Sequence, residues 1–228
     1  MDGTQKIKAV LFDLGNTLVY SHPEETFKEI LETQDIVKSV DDVKKALTQG
    51  NREFDVEEHI HLPIREFYTQ WNIVQLEHLG ITDKENARKL AEIIDSQWFN
   101  YAQIYVYPDT KETLKKLKQK GLKLGIITGG FEEDVERILP AVNLEAIFDI
   151  YVGTNTVGKR KPHPEVFQHA LKLLRIQPEE AIFIGDQLEA DYQGAQRVGM
   201  KALLIVREGK PMTNVDYITS LREVFDFL

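Results

Sequence analysis

At 228 residues with a formal net charge of −9, the chain has room for one large domain or for a core domain with a smaller insert. The acidic balance argues against nucleic acid or an anionic membrane as the main partner, and the absence of cysteine excludes disulfides, thiolate chemistry and Cys-ligated zinc. Hydrophobic and charged fractions of 42% and 29% are those of an ordinary globular protein.

The polar stretch from Met1 to Lys8 does not read as a signal peptide, and no apolar run approaches the length of a membrane span. A cytoplasmic protein without a membrane partner is expected. The first apolar run, Ala9 to Phe12, is closed by Asp13 and a Gly15-Asn16 turn signal. Short and continuous, it predicts a strand buried on both faces. Pro23-Glu24-Glu25 then starts a helix, with proline in the first turn and acids at the positive end of the dipole. Apolar residues recur at helical spacing from there to about Tyr101 (Phe27, Ile30, Leu31; Val40, Val43, Leu47; Phe67, Trp71, Val74; Leu90, Ile94, Trp98). Four or so helices are predicted, with no strand between them.

After Pro108 the pattern alternates. Asp109 and Glu112 have the spacing of a capping box for a helix that Gly121 stops. Strands are predicted at 122–127, 148–152, 181–184 and 201–206, with helices at 131–139 (stopped by Pro140), at 164–174 and in a segment ending at Gly199. A small strand near Asp216 and a closing helix from Ser220 complete the chain. Strands alternating with helices predict an α/β fold: a doubly wound, Rossmann-like parallel sheet core with an inserted all-helical domain. The expected boundaries are 1–18 and 105–228 for the core and 19–104 for the insert.

Ligands of an open α/β sheet bind outside the carboxyl ends of its strands. Those ends deliver Asp13, Thr128 and Asp186, the last followed by Asp191. Lys161 lies in the loop Gly158-Lys159-Arg160-Lys161-Pro162 before a helix. Singly, each has a plain reading: Asp13 as a turn or cap residue, Thr128 as a strand end, Lys161 as a solvated lysine, Asp186 as a helix cap. Those readings leave unexplained why all fall at equivalent places in the fold. Three close carboxylates repel one another unless a hard cation sits between them, and oxygen ligands with an open position suit Mg²⁺ shared with a phosphate. A lysine and a hydroxyl beside it would neutralise and hydrogen-bond the phosphoryl oxygens.

Four segments, Phe12-Asp13-Leu14-Gly15-Asn16-Thr17-Leu18, Ile126-Ile127-Thr128-Gly129-Gly130, Lys161-Pro162-His163-Pro164-Glu165-Val166-Phe167 and Gly185-Asp186-Gln187-Leu188-Glu189-Ala190-Asp191, resemble in order the motifs of the haloacid dehalogenase-like hydrolase superfamily. The resemblance spans nearly the whole chain, and the helical insert looks like that family's first type of cap. It implies a Mg²⁺-dependent hydrolase of a small phosphorylated molecule. Asp13 would attack phosphorus and form an aspartyl-phosphate; Thr128, Gly129 and Lys161 would bind the phosphate, with Lys161 also orienting Asp13. Asp13, the backbone carbonyl of Gly15, Asp186 and Asp191 (directly or through water) would hold Mg²⁺.

The sequence departs from the family at one position. Its phosphatases carry a second aspartate two residues after the nucleophile as general acid and base, and here that residue is Gly15. Side-chain proton transfer of this kind contributes about 10²–10⁴-fold in rate. Two alternatives therefore stand beside the phosphatase: a metal-independent 2-haloacid dehalogenase, whose halide leaves unprotonated, and a catalytically weak phosphate-binding or regulatory protein. His22, just past the first motif, is a candidate replacement acid.

Other residues carry plainer expectations. His59 and His61 form a local pair without an evident third ligand and are placed in a cap loop facing solvent or substrate. Trp71 and Trp98 recur with aliphatic neighbours and are expected in the core of the insert. Arg52 and Arg65 could meet an anionic leaving group but are expected in surface ion pairs, and Lys159 and Arg160 either add positive charge beside Lys161 or lie in a solvated loop. A monomer or a homodimer fits the composition equally.

Overall fold

The computed structural model describes residues 6–209 and 214–228; the reading of Met1 to Gln5 lies outside them. The chain divides into two compact units, Met1–Tyr20 with Tyr105–Leu228, and Ser21–Ile104.

The first unit holds a six-stranded sheet made of β1 (Ala9–Phe12), β4 (Lys123–Ile127), β5 (Ile150–Val152), β6 (Ala181–Gly185), β7 (Lys201–Ile205) and β8 (Tyr217–Ile218), in the spatial order β5-β4-β1-β6-β7-β8. All pairings are parallel. Every residue of β1 and β6 is buried, which is why these strands read as continuous apolar runs. The order reverses direction at β1/β6, and such a switch point opens a crevice at the strands' carboxyl ends. Phe12 lies level with both Ile126 and Ile184, so the three central strands end side by side. The helices of this unit are α6 (Thr110–Gln119), α7 (Glu132–Ala141), the one-turn α8 (Thr154–Val157), α9 (Pro164–Leu174) and α10 (Gly194–Arg197). Val166, Phe167, Ala170, Leu171 and Leu174 of α9 pack with Leu11, Ile127 and Phe183 in one core cluster.

The second unit is helical, with α1 (Pro23–Glu32), α2 (Val40–Glu53), the short α3 (Val56–His59), α4 (Ile64–His78) and α5 (Lys84–Tyr101). Side-chain caps start three of them: Ser39 accepts from Asp42 N–H, Asp55 from Glu57 and Glu58 N–H, and Asp83 from Asn86 N–H. Phe27, Ile30, Leu31, Val43, Leu47, Leu76, Leu90 and Ile94 form its core. Trp98 packs against that core, and Trp71 stacks on Phe54 at 5.4 Å, so both tryptophans are internal to the unit. No helix among the described residues is long and apolar enough to cross a membrane.

Several local expectations are corrected. Two three-residue strands, β2 (Val19–Ser21) and β3 (Ile104–Val106), form a separate two-stranded sheet that lay within the expected insert boundary or was unassigned. Asp109 does not cap α6; its side chain makes no cap hydrogen bond because it is drawn to Arg207, Ser220 and Leu221 instead. Pro140 lies inside α7 rather than ending it, as a proline in the last turn removes only one ladder bond. The segment after Asp186 begins as a π-helix, Leu188–Gln193, before α10, and the closing segment Leu221–Phe227 is a 3₁₀ helix. His59 ends α3, with its ring 4.6 Å from that of Phe54 and Nδ1 2.8 Å from the Asp55 carbonyl. Arg52 and Arg65 are exposed and form no ion pair among the described residues.

Candidate active site

Asp13 follows β1 directly, and its N–H donates to the Ile184 carbonyl at 2.8 Å, extending the ladder one residue past the strand. Its carboxylate is thereby fixed over the switch point. Lys161, 148 residues away, is 4% exposed and donates from Nζ to Asp13 Oδ1 at 2.7 Å and to Asp191 Oδ1 at 2.6 Å. The same ammonium sits 5.4 Å from the centre of the Phe183 ring. It is thus held by two anions and an aromatic face, and its position is over-determined.

Asp191 is fully buried. Its Oδ1 takes Lys161, and its Oδ2 accepts from Gln187 N–H at 3.0 Å. The π-helical turn brings it back against the end of β6, where Gly185 makes room. A Cβ on Gly185 would lie 2.3 Å from Asp191 Oδ2, so only glycine admits that carboxylate. Asp186 completes the set. Asp13, Asp186 and Asp191 each offer a carboxylate oxygen within 4.8 Å of the others.

This concentration of charge has electrostatic consequences. Burial pushes the Asp13 carboxyl above its ordinary value, with Lys161 opposing the rise and Asp191 adding to it. Burial, then the charges of Asp13 and Asp191, push Asp186 up to about 7. Burial works to lower the Lys161 ammonium, but Asp13 and Asp191 outweigh it and hold it above its ordinary value. One cation for three carboxylates leaves excess negative charge, which a bound divalent ion would relieve. Asp186 Oδ1 is buried and has no hydrogen-bond partner. A buried carboxylate oxygen without a donor is costly, and a hard cation is the partner that suits it. The donor set therefore fits Mg²⁺.

Thr128 directly follows β4 and is buried, with its N–H on the Val152 carbonyl and its Oγ1 accepting from Gly130 N–H at 3.1 Å. Gly129 follows it in the turn before α7. At Gly15, a Cβ would meet nothing within 4 Å; glycine is not required there by packing. Of the flanking cations, Arg160 is exposed and Lys159 half-buried. His22 precedes α1 in the helical unit, and its carbonyl accepts from Glu25 and Thr26 N–H.

Sequence reasoning missed Gly185, Phe183 and Arg207. The signal for Arg207 was available, because it stands just past β7 as Asp13 stands past β1.

A family model for haloacid dehalogenase-like hydrolases matches residues 7–199. Glyceraldehyde 3-phosphate phosphatase of Methanopyrus kandleri is 29% identical over 211 residues, 90% of this chain and 85% of that protein. Phosphoglycolate phosphatase of Aquifex aeolicus is 28% identical over 200 residues, covering 87% and 84% of the two chains. Among solved structures, a 2-haloacid dehalogenase from Pseudomonas syringae is similar with a TM-score of 0.70 at 25% identity, over 96% of this chain and 97% of that one. With the motif residues assembled at the switch point of a parallel sheet, the chain belongs to the haloacid dehalogenase-like hydrolase family.

Proposed function

We propose that this chain is a Mg²⁺-dependent phosphatase acting on a small phosphorylated metabolite through an aspartyl-phosphate at Asp13. The observation that carries the reading is the Lys161 bridge between Asp13 and Asp191, beside the unpartnered Asp186 Oδ1. The two curated relatives are named for phosphate esters of small metabolites, which supports the substrate class.

Asp13, Asp186 and the Gly15 carbonyl would hold Mg²⁺. Asp191, with both oxygens already engaged, would act by fixing Lys161 and the Gln187 backbone, reaching the ion through water. When bound, the ion neutralises phosphoryl oxygens and so lets an anionic nucleophile approach an anionic substrate. Lys161 holds Asp13 Oδ1 in place and supplies a positive charge beside the transferring group. Thr128 and the Gly129 backbone face the same strand edge and would hydrogen-bond phosphoryl oxygens. An Asp13 oxygen forms the bond to phosphorus as the ester oxygen leaves; water then attacks phosphorus, releasing phosphate and restoring Asp13. The helical unit would serve as the cap that excludes water and reads the leaving group.

Gly15 sets the rate pattern. Without an acid there, leaving groups that depart unprotonated, as in acyl or aryl phosphates, are favoured, and hydrolysis of the aspartyl-phosphate lacks its usual base. The open space at Gly15 makes the test clean. With Mg²⁺ present, wild-type protein hydrolyses an aryl phosphate slowly, and Gly15→Asp raises the alkyl phosphate rate by about 10²-fold or more. Equal rates for the two proteins would refute the assignment of Gly15. A second reading, the 2-haloacid dehalogenase, is favoured by Gly15 and by the likeness to the Pseudomonas syringae dehalogenase, and chloride release from a 2-chloroacid without Mg²⁺ would select it.

A further inference from the structure

Arg207 lies two residues past β7, and its side chain is 10% exposed. Nη1 donates to Asp109 Oδ1 and Oδ2 at 3.0 and 2.8 Å, and Nη2 donates to the Thr17 carbonyl at 2.5 Å. The guanidinium carbon sits 3.9 Å from the centre of the Tyr107 ring. Asp109 is itself tied down, accepting from Ser220 Oγ and Leu221 N–H, each at 2.8 Å. Burial works against its ionisation, but these bonds, Arg207 first, hold its carboxyl below the usual range.

The bond to Thr17 gives this cluster its reach. Thr17 belongs to the loop that begins at Asp13. Leu18 and Val19 N–H both donate to the Leu14 carbonyl, and Leu18 C=O accepts from Thr110 Oγ1 at 2.9 Å and Tyr107 N–H at 3.2 Å. Besides the loop's own hydrogen bonds and the β2–β3 pairing, its far end is therefore tied to the Tyr107–Thr110 segment and to Arg207. One planar fork meets a carboxylate, a carbonyl and an aromatic face at once, which an ammonium cannot reproduce.

We propose that Arg207 is a positioning residue for the nucleophile loop: by holding the Thr17 carbonyl from a base fixed on Asp109 and Tyr107, it sets where Asp13 and the Gly15 carbonyl lie. The kinetic consequence rests on the phosphatase reading; the structural consequence does not. A buried ion pair such as Arg207–Asp109 is by itself weak evidence of stabilisation, so the loop contact, not the pair, is what must be tested.

The experiment compares full-length wild type, Arg207→Met and Arg207→Lys. Amide hydrogen exchange at Leu18 and Val19 accelerates by about tenfold or more in both variants, while β4 amides stay protected. With Mg²⁺ and an aryl phosphate, kcat per folded enzyme falls by about 10²-fold, the scale of a small misplacement of reacting groups, with KM within about twofold. Arg207→Lys restores thermal stability through Asp109 but not the rate. A merely structural role predicts the same lower Tm in Arg207→Met but an unchanged kcat per folded enzyme, and full rescue by lysine. Unchanged exchange at Leu18 and Val19 in Arg207→Lys, which keeps the charge and so the fold, overturns the proposal. If wild type itself hydrolyses no phosphate ester, the phosphatase reading falls, and exchange alone decides the role of Arg207.

Discussion

Replacing Lys161 with methionine removes one ammonium from between two buried carboxylates while keeping most of the side chain's volume. The partners are 8% and 0% exposed and lie 2.7 and 2.6 Å away, so water cannot take the place of the lost charge. Breaking a buried pair in this way costs about 3–5 kcal/mol, and the loss falls on the folded state because the unfolded carboxylates are hydrated. Protonation limits it. The Asp13 carboxyl is already raised in the wild type and rises further without Lys161. A carboxylate whose folded value lies above its unfolded value of about 3.9 destabilises the protein fully above the folded value. That penalty is relieved as pH falls toward the unfolded value. The expected loss in urea denaturation followed by circular dichroism is therefore about 3 kcal/mol or more at pH 8 without metal, shrinking toward pH 5. Fluorescence is the wrong probe, since Trp71 and Trp98 both belong to the helical unit. A loss below about 0.5 kcal/mol at pH 8, the size of an ordinary surface substitution, refutes the view that Lys161 holds the site's charges together.

Two further outcomes follow from the same geometry. Because Asp186 stands at about 7 without metal and must be ionised to bind, protons compete with Mg²⁺: calorimetric affinity is about tenfold weaker at pH 6 than at pH 8, and a flat profile contradicts this. Gly185→Ala places a methyl 2.3 Å from Asp191 Oδ2, so the variant loses about 1–3 kcal/mol of stability together with activity; an active variant with wild-type Tm would show that Asp191 is free to move.

The sheet was legible because its central strands are buried on both faces, which forces continuous apolar runs such as Ala9–Phe12 and Ala181–Gly185. The positions of Asp13, Thr128 and Asp186 followed from that, since each stands where a strand ends. The lysine bridge was legible only as a place in a loop; that Lys161 touches Asp13 across 148 residues is a property of the folded sheet edge. Asp109 shows why local rules fail here. Its spacing to Glu112 is that of a cap, yet a buried guanidinium 98 residues away competes for the same oxygens and wins. The strands β2 and β3 are three residues each, pair across 82 residues of intervening chain, and carry no period long enough to read. Gly185 was hidden for a third reason: nothing in a sequence announces that a side chain six residues later must occupy the space of a Cβ.

The central claim is that Asp13 becomes phosphorylated. Acid-quenched reaction with an aryl phosphate and Mg²⁺, followed by tryptic digestion and mass spectrometry, reads this directly on the peptide Ala9–Lys28, where Asp13 is the only aspartate. One phosphoryl group is expected on Asp13, accumulating during turnover because Gly15 slows its hydrolysis, and absent from Asp13→Asn. Phosphate release without that modification, undiminished in Asp13→Asn, would contradict it.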